Sequence, residues 1–259
     1  MIKAKKKYGQ NFLIDKGVIN KITEAINPNN TEKILEIGPG LGALTIQILK
    51  KIDHIDVVEI DADMIKVLQE KIPPSDITIF SSNILDISND TIAKYDKVIG
   101  NLPYYISSEI LLKMTKTINN QKDLHFMLQK EVAERIASPT HSKSYGRLSV
   151  MLQYFFNIDL LFDIQPESFS PSPKVTSSLV RLIPIKNRKN KVMDINSFEK
   201  LLRIAFSQKR KTIKNNLKTI LNGEDLKALE INPQDRAEML SLSHFVKIEN
   251  YIFHKKILD

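Results

Sequence analysis

The segment Lys33–Thr45, KILEIGPGLGALT, constrains the fold of this chain more than any other part of the sequence. Its apolar start, Ile34–Ile37, is typical of a buried strand, and three glycines then alternate over Gly38–Gly42. Apolar residues recur at helical spacing from Ala43 onward. A strand, a glycine-rich turn and a helix in this order bring free backbone N–H groups close to a ligand. The segment therefore predicts a nucleotide cradle.

The spacing of the glycines and a neighbouring acid narrow the choice of nucleotide. The pattern is G-x-G-x-G, whereas enzymes that bind a dinucleotide pyrophosphate carry G-x-G-x-x-G. Glu36 lies two residues before the first glycine, and its carboxylate would repel a diphosphate. S-Adenosylmethionine is the better candidate, because it carries a sulfonium cation and has no phosphate.

Strands and helices alternate through the first half of the chain. Further predicted strands are Ile55–Ile60, Ile77–Phe80, Lys97–Ile99 and Leu124–Gln129, and a helix is predicted over Ala62–Lys71. This rhythm predicts an α/β fold with a doubly wound, mostly parallel sheet. Ligands of such sheets lie at the carboxyl ends of the strands, where we expect Gly38, Glu59, Asn83 and Asn101 to gather. Glu59 and Asp61 follow the first glycine by about 20 residues, which is where an acid at a strand's carboxyl end accepts ribose hydroxyls.

The second half of the chain gives weaker signals. Leu148–Phe156 fits a helix or a strand, and the three prolines of PESFSPSPKVT are expected to forbid regular structure there. The polar break KNRKNK suggests a boundary between a first domain, 1–187, and a helical domain, 188–259. In the second, a strongly basic helix is predicted to end near Gly223, followed by short helices over Asp225–Leu229 and Pro233–Leu240.

Composition limits the class of protein. The 259 residues are 42% hydrophobic and 26% charged, as in globular proteins, and no apolar run is long enough to span a membrane. There is no cysteine, which excludes a disulfide framework and thiolate metal sites. The net charge of +8 favours a polyanionic partner. We expect a cytoplasmic monomer that binds a polyanion and holds no metal.

The tetrapeptide Asn101-Leu102-Pro103-Tyr104 carries the most chemical information. The N6 amino group of adenine is a weak nucleophile, since its lone pair is delocalised into the ring. Two acceptors, the Asn101 side-chain oxygen and the Leu102 carbonyl, can hold the amino hydrogens and localise that lone pair. Pro103 biases Leu102 to an extended conformation, and Tyr104 offers a ring on which a base can stack.

Taken together, the motifs resemble the KsgA (RsmA) family of ribosomal RNA adenine N6-dimethyltransferases. The motifs that carry the resemblance are YGQNFL, EIGPGLGALT, VVEID, GNLPYYIS, LQKEVAERI, SFSPSPKVTSS and FSQKRKTIKNNL, spread over nearly the whole chain. The resemblance implies a Rossmann-like class I methyltransferase sheet with one antiparallel strand and a helical C-terminal domain. It also implies dimethylation of two adjacent adenosines near the 3′ end of small-subunit rRNA, within a pre-ribosomal 30S particle, with S-adenosylmethionine as donor.

The resemblance assigns roles to individual residues. Residues expected to contact the cofactor or border its site are Asn11, Leu13, Gly38, Gly40, Glu59, Asn83 and Asn101. Tyr104 and Phe169 are expected to flank the target base, although an aromatic between prolines is as often an anchor to the core. The chain departs from the family at Asn83, where an aspartate is usual. Its amide oxygen is expected to accept the adenine amino hydrogen, without the charge of a carboxylate.

Basic residues cluster at two places that are predicted to contact RNA phosphate. They are Lys5, Lys6 and Lys7 near the N-terminus, and Lys209, Arg210, Lys211 and Lys214 in the predicted basic helix. Three other functions share some of these features: a non-catalytic rRNA-binding assembly factor, a large-subunit rRNA methyltransferase that confers antibiotic resistance, and a DNA adenine methyltransferase. The intact Asn101–Tyr104 motif argues against the first.

Overall fold

The computed structural model describes residues 4–5, 8–119 and 121–257. Their strands are β1 (Phe12–Leu13), β2 (Ile34–Ile37), β3 (Ile55–Glu59), β4 (Ile77–Ser81), β5 (Lys97–Asn101), β6 (Asp123–Gln129), β7 (Phe156–Ile164), β8 (Phe169–Ser170) and β9 (Ser177–Pro184). Their α-helices are α1 (Lys16–Ile26), α2 (Ala43–Ile48), α3 (Ala62–Lys71), α4 (Asn89–Ile92), α5 (Ser107–Met114), α6 (Lys130–Ala137), α7 (Arg147–Phe155), α8 (Ile195–Ala205), α9 (Ile213–Asn216), α10 (Gly223–Ala228) and α11 (Leu242–His254). No described helix is both long and apolar enough to cross a bilayer.

Seven strands form one sheet in the order β4-β3-β2-β5-β6-β9-β7. The strands from β4 to β6 pair in parallel, and β9 pairs antiparallel with β6. The chain runs outward from β2 to β4, then returns to the other side of β2 to form β5. This reversal between β2 and β5 is where a doubly wound sheet opens a ligand crevice. The predicted mostly parallel sheet with one antiparallel strand is confirmed.

Local signals explain where the early helices begin and end. The Asp15 side chain caps α1 by accepting from the N–H groups of Gly17 and Val18, and Asn27 ends it in the left-handed region at φ +46°. Asp61 caps α3 in the same way through the Asp63 N–H. Short polar side chains that accept from free N–H groups are favoured helix starts, so these bounds follow from the sequence.

The chain divides into two compact units, and this division differs from the predicted domains. One unit contains the residues up to Ala133 and Asn157–Pro184, and the other contains Glu134–Phe156 and the residues from Ile185 onward. The predicted boundary at 187/188 lies near one of the crossings, and Glu134–Phe156, which the prediction placed in the first domain, belongs to the second unit. That segment includes α7, which packs on α8 through the rings of Tyr154 and Phe198, 5.1 Å apart.

The second unit is helical, as predicted, but its elements differ from the prediction. Leu148–Phe156, which fitted a helix or a strand, is α7 until Phe155, and β7 begins at Phe156. The predicted basic helix is instead a turn over 207–212 followed by the four-residue α9, and Gly223 begins α10. The longest helix, α11, was not predicted. It is capped by Ser241 and buries Phe245, Val246, Ile248 and Ile252.

The proline-rich segment also forms more regular structure than expected. Pro166–Ser168 makes a 3-10 turn, which is compatible with proline because a first helical position needs no N–H. Phe169–Ser170 then pairs antiparallel with β1, so that Phe169 lies opposite Leu13. The expectation that three prolines forbid regular structure here was therefore wrong.

Candidate active site

A cavity lies at the carboxyl edge of the sheet in the first unit. Gly38, Glu59, Asn83 and Asn101, which follow or end β2, β3, β4 and β5, all line it, as the strand pattern predicted. The segment that precedes α1 also contributes to the wall. The residues of that segment which line the cavity are Tyr8, Gly9, Gln10, Asn11, Phe12 and Leu13.

The glycine loop after β2 needs glycine for conformational and steric reasons. Gly38 and Gly40 have φ values of +66° and +55°, where residues with a Cβ are strained. A Cβ on Gly40 would also lie 3.0 Å from the Phe12 ring, so the N-terminal segment approaches this loop closely. The loop therefore presents bare backbone to the cavity.

Glu59 is held in place by backbone N–H groups. One oxygen accepts from Ile60 and Asp61, at 2.9 Å each, and the other accepts from Gly40 at 3.2 Å. Burial raises the pKa of Glu59, although these three hydrogen bonds oppose the shift. Glu59 is 6% exposed, and its carboxyl group is fixed at the end of β3. This is the position at which an acid accepts ribose hydroxyls in doubly wound sheets.

Glu36 is a second acid in the cavity wall and is almost fully buried. Its Oε2 accepts from the Thr45 hydroxyl at 2.7 Å. Burial raises the pKa of Glu36 to about 7, and the nearby Glu59 charge adds to the rise. The site thus holds one carboxyl group that binds its proton more tightly than a solvent-exposed glutamate does.

The N-terminal segment is fastened to the start of α3 by a buried acid. Asp61 accepts from Lys5 Nζ at 2.6 Å and from Gln10 Nε2 at 2.9 Å. Burial alone would raise the pKa of Asp61, but these donors hold it below its ordinary value. Lys5 also pairs with Asp63 at 2.6 Å. The sequence places Asp61 just after Glu59 at the end of a strand, but the partners of Asp61 are distant in sequence and no local pattern indicates them.

These ion pairs bear on the predicted RNA contacts of the N-terminal lysines. Lys5 already faces two carboxylates, so a phosphate would have to compete with both for its ammonium group. Lys5 therefore anchors the N-terminal segment to Asp61 and Asp63. Lys6 and Lys7, predicted to contact RNA as well, lie outside the described residues.

Asn101 is oriented by a contact with the N-terminal segment. Its Nδ2 donates to the carbonyl oxygen of Asn11 at 2.9 Å. Because only the amide nitrogen can donate to a carbonyl, this contact fixes the side chain and leaves Oδ1 as an acceptor. The next residue, Leu102, is 1% exposed and donates its N–H to Met127 at 3.2 Å. The strand end is thus held rigidly at the cavity wall.

The two aromatic residues predicted to flank a base have different environments. Tyr104 lines the cavity, and its hydroxyl is hydrogen-bonded to Ser177 Oγ at 2.7 Å, which fixes the ring. Phe169 is 2% exposed and belongs to the hydrophobic core beside Leu13. The structure therefore places Phe169 as an anchor rather than on the cavity wall. Tyr105, for which no role was predicted, also lines the cavity and is 60% exposed.

Asn83 lies in a tight turn beyond β4. Its Oδ1 accepts from the Leu85 N–H at 3.0 Å, and its carbonyl accepts from the Asp86 N–H at 2.9 Å. The amide oxygen that was expected to accept from a ligand is therefore already engaged by the backbone.

The remaining predicted RNA-binding residues belong to the second unit. Lys209, Arg210 and Lys211 lie in the turn over 207–212, and Lys214 lies in α9. All four side chains are exposed. Their cationic groups are accessible to a phosphate in that unit.

The lining of the cavity fits the expected cofactor. Two acids, Glu36 and Glu59, contribute to the wall, and none of the described lining residues is basic. The ionised form of these acids would repel a pyrophosphate and attract the sulfonium cation of S-adenosylmethionine. The bare glycine loop leaves room for such a ligand. Among the described residues, no cluster of histidine and acidic side chains is arranged to hold a metal ion.

Comparisons with known proteins agree with this geometry. The sequence pattern of the ribosomal RNA adenine dimethylase family matches residues 1–254. A ribosomal RNA small subunit methyltransferase A from Neisseria meningitidis serogroup C is 45% identical over 255 residues, 98% of each chain. A protein of the same name from Aromatoleum aromaticum is 43% identical over 253 residues, 98% of this chain and 96% of that one.

A solved structure extends the agreement to three dimensions. The crystal structure of a dimethyladenosine transferase from Plasmodium falciparum matches with a TM-score of 0.82 and 26% identity, covering 95% of this chain and 98% of that chain. The methyltransferase fold and the resemblance seen in the sequence are thereby confirmed. The chain belongs to the ribosomal RNA adenine dimethylase family.

Proposed function

We propose that this enzyme transfers methyl groups from S-adenosylmethionine to N6 of two adjacent adenosines near the 3′ end of small-subunit rRNA. The orientation of Asn101, which leaves Oδ1 as an acceptor at the cavity wall, is the observation that carries the proposal. The family and the names of the two bacterial relatives support the choice of rRNA adenine as substrate.

Several residues would hold the cofactor, which supplies an electrophilic methyl group when bound. Glu59 would accept hydroxyl hydrogens, and the glycine loop, in which Gly38 and Gly40 have positive φ and no Cβ, admits close contact. The other cavity-lining residues assigned to this role are Asn11, Leu13, Asn83 and Asn101.

The chain's own contribution to the reaction is to prepare the adenine amino group. Asn101 Oδ1 and the Leu102 carbonyl would accept its two hydrogens, which localises the lone pair on N6. Tyr104, fixed through Ser177, offers its ring face to the base. The target adenine must leave its stack to enter the cavity, and stacking on an aromatic ring offsets part of that cost. The proton is released from the methylated product, so no general base is required.

RNA binding is assigned to the second unit. The exposed Lys209, Arg210, Lys211 and Lys214 would neutralise phosphates and make the affinity sensitive to salt. We place the reaction in the cytoplasm, on an assembling 30S particle, with the enzyme acting as a monomer.

The test is methyl transfer from radiolabelled cofactor to small-subunit particles that lack the modification, followed by mapping of the labelled nucleotides. We expect label in two adjacent dimethyladenosines near the 3′ end of the rRNA. Large-subunit particles and DNA are offered in parallel reactions, and label in either of them but not in the small-subunit particles would contradict the proposed substrate. Stable particle binding without label would show a non-catalytic assembly factor.

A further inference from the structure

The order of the strands determines which part of the cofactor lies beside Asn83. This step rests on the proposed function, in which methyl transfer takes place at Asn101 on the end of β5. Moving along the sheet from β5, a bound nucleoside passes the glycine loop after β2 and Glu59 at the end of β3. β4 comes next, and Glu59 pairs with Ser81, two residues before Asn83. With the ribose at Glu59, the adenine base lies beside Asn83.

The turn beyond β4 fixes the direction of the Asn83 amide. A backbone N–H, that of Leu85, lies 3.0 Å from Oδ1. Only the amide oxygen can face an N–H donor, so exchanging the oxygen and nitrogen positions would bring two donors together. Nδ2 makes no hydrogen bond to any residue that the structure describes, and Asn83 lines the cavity. The free end of the side chain is therefore a donor.

We propose that Asn83 donates a hydrogen bond to the N1 acceptor of the adenine ring and does not accept from the exocyclic amino group. The amino group of adenine and Nδ2 of Asn83 are both donors, so they do not pair. N1 lies beside the amino group on the same edge of the base and accepts. An aspartate at this position would use one oxygen for Leu85 and offer the other to the amino group. Asn83 thus recognises adenine as a hydrogen-bond donor, whereas an aspartate would recognise it as an acceptor.

The test measures binding rather than turnover. Isothermal titration calorimetry is carried out on the wild type and the Asn83→Asp variant with three stable ligands. They are S-adenosylhomocysteine, its 1-deaza analogue, which lacks the N1 acceptor, and its analogue without the 6-amino group. The variant keeps an oxygen for the Leu85 N–H, so the turn should persist. Thermal unfolding of both proteins checks this point.

The two modes of recognition give opposite patterns. We expect the wild type to lose about 3- to 10-fold in affinity on removal of N1, the size of one net hydrogen bond, and less than about twofold on removal of the amino group. The variant should show the reverse order. If a donor other than Asn83 contacts N1, removal of N1 lowers the ligand affinity of both proteins by the same factor. The difference in affinity loss between the two proteins therefore reports on the Asn83 side chain alone.

Two results would overturn the inference. A wild type that is weakened by loss of the amino group but not of N1 would show that Asn83 accepts. Equal responses of the two proteins would show that Asn83 does not read the base edge. In both cases S-adenosylhomocysteine still binds, and the proposed function stands. Failure of the wild type to bind S-adenosylhomocysteine would overturn the proposed function and this inference together.

Discussion

The substitution Glu36→Gln tests whether the buried carboxyl of Glu36 in the cavity wall has a raised pKa. Glu36 is 2% exposed, and burial raises the pKa of its carboxyl group from 4.5 to about 7. A carboxyl with a raised pKa binds its proton more tightly in the folded protein than in the unfolded chain. Such a carboxyl does not affect the free energy of unfolding well below pH 4.5, and it lowers this free energy as the pH rises towards 7. Glutamine cannot ionise and keeps an acceptor for the Thr45 hydroxyl, so the substitution removes this penalty.

The size of the effect follows from the two pKa values. A difference of 2.5 units, taken at about 1.4 kcal/mol per unit, limits the penalty to about 3 kcal/mol above pH 8. At pH 5 the same linkage gives less than about 1 kcal/mol. Relative to the wild type, the free energy of unfolding of Glu36→Gln should therefore rise by about 2–3 kcal/mol between pH 5 and pH 8. Any fixed cost of the glutamine side chain cancels in this difference.

The assay is urea-induced unfolding of both proteins from pH 5 to pH 8. Glu24→Gln removes an acid from an exposed position of α1 and is the matched control. We also expect weaker binding of S-adenosylmethionine by Glu36→Gln, because its sulfonium cation loses a nearby negative charge. A stability difference that does not change with pH would refute the reasoning, since only an ionising group can produce the slope.

Three further predictions concern the sheet, the base and the RNA. Gly100→Ala places a Cβ 2.5 Å from the Ile37 carbonyl oxygen, so β2 and β5 must separate, and we expect urea unfolding to show a loss of about 1–3 kcal/mol. Unchanged stability would contradict this contact. Tyr104→Ala should weaken capture of the target adenosine by about 1–3 kcal/mol if the ring stacks on it, as measured by binding of an RNA fragment. Neutralising Lys209–Lys211 should weaken RNA binding and flatten its salt dependence while cofactor affinity stays constant, and an unchanged salt slope would show that this turn does not contact phosphate.

The sequence predicted the parallel half of the fold closely because its signals are local. The predicted helix Ala62–Lys71 has the same bounds as α3, since the capping Asp61 and the Pro73-Pro74 pair mark its two ends. The strand ends that hold Gly38, Glu59, Asn83 and Asn101 meet at one edge, as parallel pairing requires. The missed α11 also had local signals, namely the Ser241 cap and apolar residues at helical spacing.

Other features depend on contacts between distant residues and have no local signal. The hydrogen bond that orients Asn101 is accepted by the carbonyl of Asn11, 90 positions earlier, and the Lys5–Asp61 pair spans 56 positions. Phe169 is buried because β8 pairs with β1, which no periodicity reveals. The placement of α7 with the C-terminal helices likewise depends on packing against α8.

The most direct test of the proposed mechanism is the single-turnover rate of methyl transfer by Asn101→Ala at saturating cofactor. Its affinity for S-adenosylmethionine is measured separately, because the substitution also removes the contact with Asn11. Loss of an acceptor that acts on the reacting amino group should lower the rate by about 10²-fold or more, the usual cost of removing one preorganised polar group from a reacting centre. A rate close to that of the wild type, with cofactor bound, would contradict the role of Asn101 Oδ1.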